Sequence, residues 1–265
     1  MPLHFLFPAQ AIRTHLADEM FADQAAALVD AGFSVSLVSD DVISGSQPLS
    51  GIPVNSVVVY RGWMLNESEY ARLETAIENS GAFVLTALRA YLSTHHLPNW
   101  YPRLEPHTPE TKIIALEDDW KSAIKSLDWG SFFVKDFVKS LKTNQGSVIH
   151  HIDEIDQWIT EMRRVRGEIE GGLCIRRVEE YIPQTERRFF VINGVAYSAN
   201  AEAIPEIVVG TANIIPSRFF SVDTIQRKDG ESRIVEIGDG QVSDITGWTA
   251  DRFAQIWQLA IGKGS

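Results

Sequence analysis

Two carboxylates set in apolar strands are the residues of this chain best placed to do chemistry. Asp223 lies within Phe219-Phe220-Ser221-Val222-Asp223-Thr224-Ile225, and Glu236 within Arg233-Ile234-Val235-Glu236-Ile237-Gly238-Asp239. Between them runs Arg227-Lys228-Asp229-Gly230-Glu231. Alternating β-branched and aromatic residues around an Asp-Gly turn predict a β-hairpin. Asp223 and Glu236 are thirteen residues apart, so a fold near Asp229-Gly230 brings them roughly opposite each other. A carboxylate is costly to bury unless it is paired or bound to a cation. Two oxygen donors on one rigid hairpin can hold Mg²⁺ against a nucleotide phosphate. A half-exposed strand whose polar face carries acids would account for the same residues, so the rest of the chain decides.

Three further segments bear on that choice. Phe132-Phe133-Val134-Lys135-Asp136 places a lysine inside an apolar strand, just ahead of the polar loop 140–147. A lysine there can neutralise phosphate oxygens while a loop closes over them; it can equally snorkel from a strand end. Val178-Glu179-Glu180-Tyr181-Ile182-Pro183 is an extended linker that can offer backbone N–H and C=O groups to the edge of an adenine. Glu186-Arg187-Arg188-Phe189-Phe190-Val191-Ile192 begins a strand that turns back at Asn193-Gly194. Strand side chains alternate, so one of the two arginines points inward, where it can grip a phosphate or carboxylate. An ion pair with Glu179, Glu180 or Glu186 is the competing use.

The elements that must position these groups are legible from periodicity. Leu3 to Phe7, Phe33 to Val38, Val54 to Tyr60 and Ala82 to Leu85 read as strands, with helices from Asp18 to Asp30 and Glu67 to Asn79. Alternating strands and helices predict a parallel sheet, whose sites lie beyond the carboxyl ends of the strands. Arg61 directly follows the third strand and is therefore a candidate for binding a substrate carboxylate. Asn99-Trp100-Tyr101-Pro102 reads as a turn or linker. Helices are expected from Asp118 to Leu127, Ile152 to Arg166 and Ala250 to Ile261. Strands are expected from Ser131 to Val138, Leu173 to Tyr181, Arg188 to Ile192 and Val195 to Asn200.

Composition narrows the classes. The chain has 265 residues, 45% hydrophobic and 22% charged, as in an ordinary globular protein. No run approaches the ~20 apolar residues of a membrane span. Met1-Pro2-Leu3-His4-Phe5 lacks the basic and apolar regions of a signal peptide, and a cytoplasmic protein is the expectation. A single cysteine, Cys174, excludes an intramolecular disulfide and a cysteine zinc cluster; it reads as a core residue. A net charge of −11 argues against general nucleic-acid binding, and the Arg163, Arg164, Arg166 cluster reads as a solvated helix face. The chain contains no P-loop, no Gly-x-Gly-x-x-Gly, no Gly-x-Ser-x-Gly and no His-Glu-x-x-His. The adjacent pairs His95-His96 and His150-His151 are poorly spaced for metal.

The order of the pieces carries the most information. A lysine strand, a polar loop, a Glu-Glu-Tyr-Ile linker, an arginine hairpin and an Asp/Glu hairpin together resemble the ATP-grasp superfamily. Phe-Val-Lys-Asp-Phe, Glu-Arg-Arg-Phe-Phe-Val and Val-Glu-Ile-Gly-Asp-Gly-Gln-Val-Ser are similar to a bacterial and phage-associated clade of it, named for an arginine and two lysines. The resemblance implies an α+β protein in which two α+β lobes clamp ATP, preceded by a small α/β domain with a parallel sheet. It divides the chain into 1–88, 89–180 and 181–265. It implies that Lys135 contacts the ATP phosphates and that Glu179, Glu180, Tyr181 and Ile182 form the hinge that reads adenine. Arg187 or Arg188 would face the phosphates or an acyl phosphate, and Lys142 would reach in from the loop as the second lysine. Asp223 and Glu236 would hold Mg²⁺. Many members carry Glu-x-Asn in the last strand, where both residues bind metal; here Gly238 stands at the Asn position and Asp239 follows as a substitute ligand. The activity implied is ATP-dependent ligation of a carboxylate to an amine through an acylphosphate, on small-molecule or peptide substrates, with no nucleic acid or membrane partner. A nucleotide-binding regulatory module and an ATP-dependent phosphotransferase are the alternatives the same clamp allows.

Overall fold

The computed structural model describes residues 1–141 and 146–262; Lys142, expected as a phosphate-side lysine, lies outside them. The chain divides into two compact units. The first comprises Met1–Thr94, Arg187–Val222 and Gly238–Ser265; the second comprises His95–Glu186 and Asp223–Ile237. These units and the consecutive segments 1–88, 89–180 and 181–265 cut the chain differently, because long strands near the C-terminus contribute one end to each unit.

The first unit opens with β1 (Leu3–Pro8), α1 (Ala22–Asp30), β2 (Ser34–Val38), α2 (Asp40–Ser44), β3 (Val57–Tyr60), α3 (Glu67–Asn79), β4 (Phe83–Val84) and α4 (Leu88–His95). The strands form a sheet in the order β2-β1-β3-β4, all parallel, as alternation with helices requires. α1 begins at Ala22 rather than Asp18, because Asp18 is used in a turn: its Oδ1 accepts from Met20 N (2.9 Å) and its carbonyl from Phe21 N (2.9 Å). α3 spans the expected residues because Asn66 and Glu69 close a capping box, each side chain accepting from the other's backbone N–H (3.0 and 2.9 Å).

The second unit contains α5 (Leu97–Leu104), a 3-10 turn (Glu105–His107), β5 (Thr111–Ile114), α6 (Trp120–Lys125), β6 (Phe132–Lys135), β7 (Val148–Ile149), α7 (Glu154–Arg166) and β8 (Leu173–Arg177). α5 corrects the turn expected at 99–102. Leu97, Trp100, Tyr101 and Leu104 recur at helical spacing and are all buried. Pro98 falls in the first turn, where its missing N–H costs nothing. The strands pair antiparallel in the order β5-β8-β6-β7. One face of this sheet buries Phe132, Val134, Leu173 and Ile175 in a core with Ile124 of α6 and Ile155, Trp158 and Met162 of α7.

The remaining strands are β9 (Tyr181–Ile192), β10 (Val195–Tyr197), β11 (Phe219–Arg227) and β12 (Ser232–Asp239), in the sheet order β10-β9-β11-β12. The Asp-Gly turn joins β11 to β12 as expected, with Arg227 N donating to the Glu231 carbonyl (2.8 Å). α8 (Glu206–Ile214) and α9 (Ala250–Gly262) complete the chain. In the first unit, Phe5, Phe7, Val57 and Val59 pack with Phe190, Phe219, Phe253 and Trp257. Leu6, Val58 and Tyr60 pack on the opposite side of the parallel sheet with Leu73 and Ile77. Both faces of that sheet are covered at its centre, which explains the unbroken apolar run of β3.

Candidate functional site

The lysine strand of the second unit has two unlike faces. Val134 pairs with Ile175 toward the apolar core, whereas Phe133 pairs with Arg176 and Lys135 with Cys174 on the other side. Strand alternation therefore lifts Lys135, Cys174 and Arg176 onto the face away from α6 and α7. Lys135 is 4% exposed, and its Nζ donates to Glu236 Oε1 at 3.0 Å. The Glu236 side chain remains 43% exposed. Asp223 is buried. Burial pushes the Cys174 thiol up to about 12, so it stays protonated and is no nucleophile at neutral pH.

Asp136, which the lysine-strand motif contains but to which the sequence assigned no role, shapes the backbone just beyond Lys135. It is fully buried; its Oδ1 accepts from Val138 N (2.8 Å) and from Lys139 N, and its Oδ2 from Arg166 Nη1 (2.9 Å) and Glu170 N (3.3 Å). Arg166 is thus a strut, while Arg164 of the same cluster pairs with Glu161 on the helix surface (2.7 Å). An acid directly after a strand, followed by Phe137-Val138-Lys139, is the signal of a side chain turned back onto its own loop.

The linker between β8 and β9 is held by side chains. Glu179 accepts from Arg233 Nε (3.1 Å) and Nη2 (3.0 Å) and from the Tyr181 hydroxyl (3.0 Å). Burial is the main reason the Tyr181 phenol is raised, with the Glu179 charge next. Glu180 is largely exposed beside Lys228 (3.3 Å), and Ile182 is half-buried. Arg176 donates to the Val235 carbonyl and to Thr108 Oγ1, both at 2.7 Å. A cavity of about 580 Å³ opens here, lined by Tyr101, Thr108, Val178, Glu179, Glu180 and Arg233 among others. Arg176 and Arg233 lie in strands and carry no local motif, so pattern alone offers no reason to separate them from other surface arginines.

In the first unit, Arg61 sits at the carboxyl end of β3 but turns inward and is 1% exposed. Its Nε and Nη2 donate to Gln24 Oε1 (3.2 and 2.7 Å), and its Nη1 donates to the Ser243 carbonyl (2.9 Å) and to that of Gly240. The Phe253 ring lies 4.6 Å away. Burial lowers this guanidinium to about 9. Asp239 is also fully buried; it accepts from Gln241 N (3.0 Å), Gln241 Nε2 (3.2 Å) and Thr94 Oγ1 (3.2 Å), and burial raises its carboxyl to about 7. Gly238 has a steric reason. A Cβ there would meet Ser243 Oγ at 2.7 Å and Ser221 Oγ at 2.9 Å, and those two hydroxyls bond each other at 2.8 Å. Arg187 is exposed and Arg188 half-buried, as strand alternation requires; Arg188 Nη1 donates to the Asp244 carbonyl (2.8 Å).

Lys135 and Glu236 are thus brought together, as are Glu179 and Tyr181. Among the described residues no three His, Cys, Asp or Glu side chains gather into a group able to hold a metal by themselves. Asp223 and Glu236 supply hard oxygen donors, which suit Mg²⁺, an ion that completes its shell with water and phosphate.

Residues 115–258, more than half of the chain, match a family described as an ATP-grasp domain, the third family of the clade named for an arginine and two lysines. Among curated proteins, no sequence relative matches. Solved structures of similar fold include the D-cycloserine synthetase DcsG, at 14% identity and a TM-score of 0.64, covering 99% of each chain. The D-alanine–D-alanine ligase of Bacillus anthracis, complexed with ATP, aligns at 10% identity and a TM-score of 0.63 over 99% of this chain and 98% of that one. The macrocyclase MdnC of Microcystis aeruginosa MRC, bound with its precursor peptide MdnA, aligns at 12% and 0.61 over 97% and 99%. At these identities the likeness shows the fold.

Proposed function

Because the chain belongs to the ATP-grasp superfamily, in the third family of its arginine-and-two-lysine clade, we propose that it is an ATP- and Mg²⁺-dependent ligase joining a carboxylate to an amine through an acylphosphate. The observation that carries this reading is the contact between Lys135 and Glu236 at 3.0 Å. A desolvated ammonium and an accessible carboxylate stand together on a rigid strand and hairpin, a pairing that a metal-bound phosphate can use from both sides.

The roles follow from the chemistry of each group. Lys135 Nζ neutralises the oxygens of the γ-phosphoryl group as it moves from ATP to the substrate carboxylate and ADP leaves. Asp223 and Glu236 are the residues that would hold Mg²⁺. When bound, that ion draws charge from the phosphate oxygens and orients them for in-line attack. Asp136 holds the backbone after Lys135, so the ammonium is positioned before the nucleotide arrives. Phosphoryl transfer of this kind is mostly positioning and charge neutralisation, and no protein nucleophile is required. Arg187 or Arg188 is the proposed partner of the acyl phosphate. Arg61 and Asp239, both buried in the first unit, serve its internal order. The amine then displaces phosphate to leave the amide. Substrates are small molecules or peptides, by analogy with the solved structures of similar fold, among them a D-alanine–D-alanine ligase and a macrocyclase bound with its precursor peptide. No helix of the described chain is long and apolar enough to cross a membrane, and a cytoplasmic location is part of this proposal.

Calorimetric titration of Mg²⁺·ATP into wild type and into the Asp223→Asn/Glu236→Gln double variant tests the reading. Magnesium-dependent binding lost in the variant is the expected result; no binding by folded wild type would sink it. ADP release that requires both a carboxylate and an amine separates a ligase from a phosphotransferase, which needs only a hydroxyl acceptor. Binding without turnover would mark a regulatory module.

A further inference from the structure

We infer that Arg233 is a positioning residue for nucleobase selection: it pins Glu179 so that main-chain groups of residues 178–180, not the Glu179 carboxylate, read the purine. The inference rests on the ligase reading above and names what sets its nucleotide specificity.

Arg233 is 8% exposed, at the start of β12. Its Nε and Nη2 take both oxygens of Glu179 (3.1 and 3.0 Å), its Nη2 also reaches the Thr108 carbonyl (2.6 Å), and its Nη1 reaches the Pro106 carbonyl (2.8 Å). One guanidinium therefore ties the hinge, the 106–108 segment and the hairpin together. A planar fork does this where an ammonium cannot. The Tyr181 hydroxyl adds a third donor to the same carboxylate. An ionised carboxylate has about four lone-pair sites, so three are already in use on a side chain that is 13% exposed. At the other end of the segment, the Glu180 carbonyl accepts from Lys228 N (3.0 Å).

Residues 178–180 lie between β8 and β9, outside either strand. Such a segment keeps one geometry only if its side chains are anchored, and the Arg233–Glu179 fork is that anchor. Adenine presents a donor at its exocyclic amine beside an acceptor at N1; guanine presents the reverse. A main-chain carbonyl and N–H can tell these apart only when held within about half an ångström of the productive position. The cavity lined by Val178, Glu179, Glu180 and Arg233 adjoins this anchor.

The test uses the full chain, with Mg²⁺·ATP and Mg²⁺·GTP as probes, in wild type, Arg233→Lys and Glu179→Gln. Glu179→Gln keeps the side chain's size but removes the charge and one of the two oxygens that Arg233 grips, and serves if Arg233→Lys fails to fold. Wild type is expected to bind ATP more tightly than GTP. In either variant ATP affinity should fall at least tenfold while GTP affinity moves by less than twofold. A merely structural role would weaken both nucleotides together; that result, unchanged affinities, or a wild type that does not discriminate would overturn the inference. Wild type that binds neither nucleotide would remove the ligase reading and this inference with it, a pattern distinct from loss of selectivity alone.

Discussion

Replacing Lys135 by Met separates the two tasks assigned to it. At 3.0 Å from Glu236, the ion-pair attraction in an effective dielectric of about 20 is roughly 5 kcal/mol. Most of that is offset, because the ammonium is desolvated and the glutamate is nearly half exposed, leaving about 1 kcal/mol or less. Met fills a similar volume without a buried charge, so the melting temperature should move by no more than about 4 °C. Nucleotide binding should respond far more. A charge-assisted hydrogen bond to phosphate contributes about 1.5–3 kcal/mol, which is roughly a 10- to 150-fold loss of Mg²⁺·ATP affinity by calorimetry. Affinity for Mg²⁺ alone should rise or hold, since the variant no longer competes for Glu236. Unchanged ATP affinity in a folded variant, or joint loss of ATP and Mg²⁺ binding, would refute the assignment of Lys135 to the phosphates.

Three further outcomes are expected. Gly238→Asn, which would supply the Asn of the Glu-x-Asn pattern expected from sequence, should cost about 1–3 kcal/mol by overpacking against Ser221 and Ser243 and lower the urea midpoint; Ser243→Gly in the same chain should recover part of it. Asp136→Asn removes an acceptor from Arg166 and Glu170 and should cost about 1–3 kcal/mol, with faster hydrogen exchange at residues 136–139. Asp239 carries a carboxyl raised to about 7, against about 3.9 in an unfolded chain. The folded form keeps its proton longer, so the stability it contributes is full below about pH 4 and is lost as pH rises through 7. Asp239→Asn should remove that decline, and the gap between wild type and variant in chemical unfolding at about pH 4.5 and pH 8 measures it.

Local pattern accounts for much of the fold. Phe132 to Lys135 reads as a strand because an apolar run brackets one lysine, and it is one. The Asp-Gly turn fixes the β11–β12 hairpin, and Asn66 with Glu69 fixes the start of α3. Where two local signals competed, the longer-range one won. Asn99 and Pro102 argued for a turn, yet four apolar residues at helical spacing had a core to enter, and burial of that face decided for α5. α8 has no comparable signal, because Ile207-Val208-Val209-Gly210 has low helix propensity and depends on its packing.

The charged side chains that meet in the second unit were legible by residue type but not by partnership. Nothing near Lys135 in the chain announces Glu236, 101 residues away, and nothing near Glu179 announces Arg233, 54 residues away. Those pairings exist because the sheet of the second unit places Lys135 and Arg176 on the face away from its apolar core, where the hairpin supplies acceptors. The departure at Gly238 shows the same limit. From sequence it reads as a lost metal ligand, whereas in the fold it is the residue that leaves room for the Ser221–Ser243 hydroxyl pair. An Asn there could act as a ligand only after displacing that pair. A metal carried by Asp223, Glu236, phosphate and water needs no such change, so the altered motif is compatible with retained ligase chemistry.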